Sequence, residues 1–191
     1  MALIAINLFI SARSNQTAVI VDAMKKKRAA TTNTIQQAEL ILKLYELRRE
    51  AVMREARSYV GGNFLPASAS EFIQIVSAGD RHSSFVLQVY GYWDMVAAFV
   101  RSGALDAELL YNTCPEMYFQ YAKIQPHLAQ FREEMNLPEY LINIEQLVEG
   151  SRAGCKRLEA MQKNLAAIAE ARSRSASKPQ TKSASKPRTK R

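Results

Sequence analysis

Asp94 is the side chain in this sequence best placed to do chemistry. It is the only charged residue in an otherwise apolar and aromatic stretch that runs from Phe85 to Val100. A carboxylate withdrawn from water has a raised pKa and can act as a general acid or base. The neighbouring rings of Tyr90, Tyr92 and Trp93 would then line a pocket beside it.

A structural role for Asp94 competes with the catalytic one. Catalysis by a carboxylate needs a nucleophile, a histidine or a second acid at its side, and the sequence places none of these at a recognisable spacing from Asp94. We therefore expect Asp94 to pair with an arginine such as Arg81 or Arg101, or to lie exposed at a gap between helices.

The other groups that could bind a metal or move a proton are scattered along the chain. The Glu-x-x-His spacing of di-metal helical bundles is absent, and neither cysteine has a partner at a metal-ligand spacing. We expect no metal and no cofactor, histidines at the surface or at helix ends, and free thiols in a reducing compartment. These groups are Glu133, Glu134, Glu145, Glu149, His82, His127, Cys114 and Cys155.

Positive charge is concentrated at the C-terminal end. Residues 171–191 hold 8 of the 26 basic residues and no acid, so the net charge of +8 lies there and residues 1–170 are neutral. The repeated octapeptides S-A-S-K-P-Q-T-K and S-A-S-K-P-R-T-K have no side chain able to form a core, which predicts disorder. We expect weak, non-specific binding of nucleic acid or anionic lipid through Arg172, Arg174, Lys178, Lys182, Lys186, Arg188, Lys190 and Arg191.

The N-terminal end is apolar and is followed by a basic cluster. Residues 1–10 are apolar except for Asn7, and Lys25, Lys26, Lys27 and Arg28 follow a second apolar patch. Arg13 and Asp22 interrupt the stretch, so a full membrane span is not expected. Three interpretations stay open: a helix docked on the core, an interfacial anchor strengthened by the cluster, or a disordered leader.

The stretch between these ends has the periodicity of helices. Apolar residues recur every three or four positions from Thr34 to Tyr59, with Gly61 and Gly62 at the end, and capping-box spacings occur at Thr34, Ser68 and Thr113. Arg48 and Arg57 fall on what reads as an exposed face of mixed charge. Pro126 predicts a kink or break in the aromatic helix after Pro115, and Gly150 and Gly154 leave open whether the last helix is continuous or broken.

Residues 85–150 resemble a known family in the order of their features. The carriers of the resemblance are the helix Phe85 to Val100, the turn Ser102-Gly103-Ala104-Leu105-Asp106, the aromatic helix after Pro115, and Ile144-Glu145-Gln146-Leu147-Val148. This order is similar to a bacterial family of uncharacterised helical proteins, the domain of unknown function numbered forty-seven sixty. Members often carry an N-terminal membrane segment, which implies that residues 1–24 are a shortened relic of one. The family has no established activity, so the resemblance assigns no catalytic residue.

The sequence as a whole predicts an all-α protein, a compact bundle of five to seven helices with a disordered C-terminal tail. Its predicted segments are residues 1–29, an apolar leader with a basic cluster; residues 30–172, the helical domain; and residues 173–191, the disordered basic tail. We expect a non-enzymatic, cytoplasmic interaction domain whose protein partner the sequence does not identify. Two alternatives stay open: a membrane-surface protein at the inner face of the membrane, held by its N-terminal segment, and an enzyme that uses a buried Asp94.

Overall fold

The computed structural model describes residues 24, 26 and 33–176, with side chains described as far as residue 171. These residues contain eight α-helices and no strand, which confirms the all-α prediction. The predicted count of five to seven helices is wrong. The helices are α1 (residues 33–49), α2 (Ala51–Gly62), α3 (Ala69–Ser77), α4 (Arg81–Arg101), α5 (Ala107–Thr113), α6 (Glu116–Met135), α7 (Ile142–Glu149) and α8 (Arg152–Ala176).

Two interruptions of helices that the sequence left undivided or open raise the number of helices to eight. The first long helix is interrupted at Glu50, whose backbone is extended, with φ −56° and ψ 144°. The last helix is a broken pair, because the chain leaves α7 at Gly150 and turns into α8. Gly154 permits this turn, since a Cβ atom there would overlap the carbonyl oxygen of Val148. Glycine is thus the residue that lets α8 start so close to the end of α7.

Helix α4 is the centre of the core, as its composition predicts. It packs against α2, α3 and α7, and α6 contacts α3 and α8. One strip of α4 nevertheless faces solvent; it contains Gly91, Leu87 and Met95. The buried side chains of α4 are Ser83, Phe85, Val86, Val89, Tyr90, Tyr92, Trp93, Val96 and Ala97.

Local capping signals define several helix starts. Ser68 accepts a hydrogen bond from the backbone N–H of Glu71, whose carboxylate in turn accepts one from the backbone N–H of Ala67. Asp80 and Asp106 cap α4 and α5: each carboxylate accepts a hydrogen bond from the backbone N–H three residues later in the chain. Sequence periodicity and capping chemistry therefore agree over the middle of the chain.

Two local predictions, a cap at Thr113 and a break at Pro126, are wrong for physical reasons. Thr113 does not cap α6; it ends α5, and its hydroxyl donates to the carbonyl oxygen of Leu109 at 2.7 Å. Helix α6 also continues through Pro126 without a break. Tertiary packing compensates for the lost hydrogen bond, because most of the residues around Pro126 are buried against α3 and α8.

Helix α8 runs along α6 and α7 and continues to Ala176, past the predicted segment boundary at residue 172. Residues 177–191, with most of the predicted polyanion-binding residues, lie outside the described part of the chain. Their disorder stays a prediction. Within the described residues, no helix has the length and apolar character needed to cross a membrane.

Candidate interaction surface

Asp94 caps a neighbouring helix. Its carboxylate accepts hydrogen bonds from the backbone N–H groups of Asn143 and Ile144, at 3.0 and 3.1 Å, and from the side-chain amide of Asn143 at 2.8 Å. These groups lie in the first turn of α7, whose N–H groups have no partner within the helix. Asp94 therefore does for α7 what an N-cap side chain does, from a different helix.

The predicted pairing of Asp94 with arginine is wrong. Arg81 pairs with Glu55, and Arg101 donates to the side-chain oxygen of Asn143. The N-cap residue of α7 itself, Leu141, is buried and has a left-handed backbone with φ 57°, so it offers no capping side chain. Because α7 has no capping side chain of its own, the N–H groups of its first turn donate to Asp94 instead.

The other acidic candidates on α7 also bond to neighbouring helices. Glu145 pairs with Arg132 at 2.9 Å. Glu149 accepts hydrogen bonds from the hydroxyl of Tyr121 and the amide of Gln125. Burial and the Glu149 carboxylate together raise the pKa of Tyr121, so this phenol stays a donor. Among the described residues, no group of three His, Cys, Asp or Glu side chains could hold a metal ion.

The histidines and cysteines are separate from one another. His82 stacks on Tyr59 with ring centroids 4.2 Å apart, and the ring nitrogen of His127 lies 3.1 Å from the carbonyl oxygen of Pro66. Both cysteines are free thiols, and Cys114 is buried. The structure brings none of the four into a common site.

Two arginines that sequence reasoning assigned to an exposed face are withdrawn from solvent, Arg48 almost fully and Arg57 in part. Glu116, at the start of α6, pairs with both Arg48 and Arg57, and Arg48 is only 8% exposed. Burial opposes ionisation of Glu116, but the hydrogen bonds and charges of Arg57 and Arg48 outweigh it and hold the pKa of this carboxyl below its ordinary value. The Arg48 guanidinium also covers the ring of Trp93 and donates to the Cys114 thiol. This cluster fastens α1 and α2 to α6.

The buried side of α1 is therefore the side that carries Leu44 and Arg48. Leu44 is 2% exposed, and its carbonyl oxygen accepts a hydrogen bond from the hydroxyl of Tyr92. Leu40 and Ile41 also pack against the core, but three other apolar side chains of α1 lie largely in solvent. Ile35, Leu42 and Tyr45 are 55%, 63% and 52% exposed.

Ala38, which is also exposed, lies between these side chains. The four residues form one line along the helix, which we name the α1 seam: Ile35, Ala38, Leu42 and Tyr45. Their spacings of three, four and three residues place them within about 80° of arc on a helix. Met24 is also helical and 67% exposed. The α1 seam has the spacing of positions a and d in a coiled coil.

The surroundings of the α1 seam are polar. Glu39 and Glu46 lie exposed along one edge, and Lys43 lies beside them. Leu47 is also exposed, at 43%, but it points about 160° away from the seam on the same helix. Sequence periodicity could have found the seam, but it does not say which of two apolar sides of a helix meets the core.

Two grooves share Leu65, Lys123 and Leu165, and both lie along α6 and α8. The larger has a volume of about 370 Å³ and also contains Pro126 and His127. Lys123 is 4% exposed and donates from Nζ to the carbonyl oxygen of Gly61 at 3.2 Å. Its ammonium thus serves the C-terminal end of α2, where a positive charge is favoured.

The predicted basic sites lie almost wholly outside the described residues. Of the N-terminal cluster, Lys26 is described; it is helical and exposed. Of the tail residues, the backbone of Arg172 and Arg174 belongs to α8. The structure does not bring either basic segment into a described site, and both assignments stay predictions.

Comparison with known proteins gives one match. Residues 33–151 match the model of a family described as Domain of unknown function (DUF4760), which confirms the resemblance found in the sequence. The matched residues include α1 to α7 in full and therefore contain the α1 seam. No curated protein and no solved structure matches the chain.

Proposed function

This chain belongs to the family of Domain of unknown function (DUF4760), and we propose that its helical body is a non-enzymatic protein-interaction domain. The body presents the α1 seam to a protein partner, and the basic tail adds weak binding of polyanions. The setting of this interaction is the bacterial cytoplasm.

The observation that carries the proposal is the exposure of the α1 seam. Ile35, Leu42 and Tyr45 each expose more than half of their surface, in one line, on a helix whose other side is fastened to the body by Arg48 and Leu44. Single exposed apolar residues are ordinary on a protein surface, but an aligned set with polar neighbours is typical of an interaction site. The packing of α1 thus leaves the α1 seam exposed and available to a protein partner.

The contacts of the acidic candidates support the absence of catalysis. Asp94, Glu145 and Glu149 each bond to a neighbouring helix or loop. A general acid or base must reach a substrate, and these carboxylates instead satisfy groups of the fold. We propose that their roles are structural.

The charge distribution supports the second half of the proposal. Because residues 1–170 carry no net charge, the 8 basic residues of the tail are the main source of long-range attraction to a polyanion. An extended chain of this kind can follow a phosphate backbone, and 8 contacts would give a slope of log affinity against log salt of at most about −7. Binding of this type is non-specific.

The test compares the full chain with a chain that ends at Ala176, which keeps α8 whole. A full-length control replaces Lys178, Lys182, Lys186, Arg188 and Lys190 by Gln, so that length is kept and charge is lost. We expect both variants to bind duplex DNA and anionic vesicles at least about tenfold more weakly than the wild type at low salt. If either variant kept its affinity, the neutral body would possess a recognition surface for that target and the role given to the tail would be wrong.

The exposure of Met24 and Lys26 favours a second candidate, a protein held at a membrane surface by residues 1–28. Met24 is 67% exposed, and Lys26 is also helical and exposed, a combination suited to a lipid interface. This candidate predicts that the full chain floats with anionic vesicles even at high salt, and that deletion of residues 1–28 abolishes flotation. Loss of vesicle binding in high salt by the full chain would eliminate it.

A further inference from the structure

We propose that the α1 seam binds the α1 seam of a second copy of this chain, so that the protein forms a reversible homodimer. The inference rests on the proposed function, because it names the partner of the same surface. Two copies would bring together Ile35, Ala38, Leu42 and Tyr45 of each chain around a twofold axis.

The width of the α1 seam points to a helix as its partner. A helix that covers a protein core or lies in a lipid interface has an apolar face wider than about 100°, whereas a strict a/d line is the narrower contact of a coiled coil. The α1 seam occupies about 80°. Its side chains are spaced to insert between those of a facing helix with the same repeat. A second copy supplies such a helix with a matching repeat.

The available area indicates how strong the dimer is. Half of a large side chain is roughly 100 Å², so the three large side chains of the α1 seam offer about 300 Å² per copy. A standard stable interface takes about 800 Å² from each partner. The seam is therefore sufficient for a weak, concentration-dependent dimer and not for a permanent one.

The experiment is sedimentation equilibrium of the full chain at concentrations from about 5 to about 500 µM. The wild-type mass is expected to rise from the chain mass of 21.5 kDa toward twice that value. Leu42→Glu, at an exposed position, is expected to weaken dimerisation at least about tenfold while thermal stability at low concentration stays unchanged. Leu47→Glu makes the same chemical change on the opposite side of α1 and is expected to dimerise like the wild type.

Two outcomes would overturn the proposal. One is a wild-type chain that stays at 21.5 kDa over the whole range; the other is equal loss of dimer in Leu47→Glu and Leu42→Glu. A second experiment distinguishes failure of the dimer proposal from failure of the proposed function. A photo-crosslinking amino acid is placed at position 42 in cells, and the mass of the crosslinked partner is measured. Crosslinks to a protein of different mass would defeat the second copy and keep the interaction surface. A monomer with no crosslinks would defeat both.

Discussion

Glu116 shows how one carboxylate joins three helices. It lies on α6 and accepts hydrogen bonds from Arg48 of α1 and Arg57 of α2, so it orders two cations that would repel each other without it. The sequence placed both arginines on a solvated face because they alternate with glutamates at helical spacing. Helical spacing identifies neighbours on one helix, and the partner of these arginines is about sixty residues away in the chain.

The free energy of unfolding should depend on pH through the ionisation of Glu116. The pKa of this carboxyl in the folded protein lies below its ordinary value of 4.5, so its stabilising effect is complete above pH 4.5 and is lost as pH falls through the folded pKa. Glu116→Gln should cost about 2 kcal/mol of the free energy of unfolding at pH 7. The difference from the wild type should shrink below pH 4.5, as measured by urea unfolding at a series of pH values.

Glu55→Gln is the matched control for this prediction. Glu55 pairs with Arg81, but both side chains are at least half exposed, and exposed ion pairs contribute little. Its effect should stay within about 0.5 kcal/mol at every pH. An effect of Glu116→Gln that stayed constant down to pH 3 would show that the carboxylate is not held ionised by the two arginines.

At the level of helices, α7 is defined by a residue of α4. Short helices are unstable alone, and α7 has 8 residues with no side-chain cap of its own. Asp94 supplies the missing acceptors across a separation of 49 and 50 residues. The carboxylate that sequence analysis selected for chemistry is thus important, but for the position of a helix.

Removal of the Asp94 cap should destabilise the fold. Asp94→Ala leaves the N–H groups of Asn143 and Ile144 without their acceptor, and loss of an N-cap costs about 1 to 2 kcal/mol. Asp94→Asn keeps one side-chain oxygen and should cost less than half as much, since Asn and Asp are comparable caps. Thermal or urea unfolding of both variants checks this. Equal losses in the two variants would mean that charge, and not capping geometry, is what Asp94 contributes.

Sequence reasoning predicted the helices best where their signals are local. The start at Ser68 follows from a side chain three residues from its target, and it was predicted correctly. The break at Glu50 was missed, because no glycine or proline marks it and the Arg48–Glu116 pair that fastens the end of α1 is non-local. The same non-local contact decides which side of α1 is buried, so the α1 seam was visible as a periodic pattern but not as a surface.

At the level of the molecule, the neutral body and the charged tail occupy different parts of the sequence. The body exposes an apolar line on α1, while the net charge of +8 lies after residue 170. Association of bodies and attraction to polyanions therefore respond to different variables: the first to protein concentration, the second to salt. The two proposals can be tested independently in one protein.

Thermal stability should depend on protein concentration. A dimer that forms only from folded chains stabilises them by mass action, so the apparent Tm of the wild type should rise by a few degrees between about 5 and about 500 µM. Leu42→Glu should have the same Tm at both concentrations. Differential scanning calorimetry measures this, and Leu47→Glu is the control. A wild-type Tm independent of concentration would argue against self-association through folded bodies.

The cap that α4 provides for α7 has a consequence for the order of folding. Because Asp94 and the first turn of α7 are about fifty residues apart, α7 gains its cap only after the intervening chain, with α5 and α6, has closed that loop. The contact is non-local and therefore belongs to the later part of the reaction. Loss of the carboxylate would accelerate unfolding far more than it slows folding, so Asp94 governs how long the native state persists.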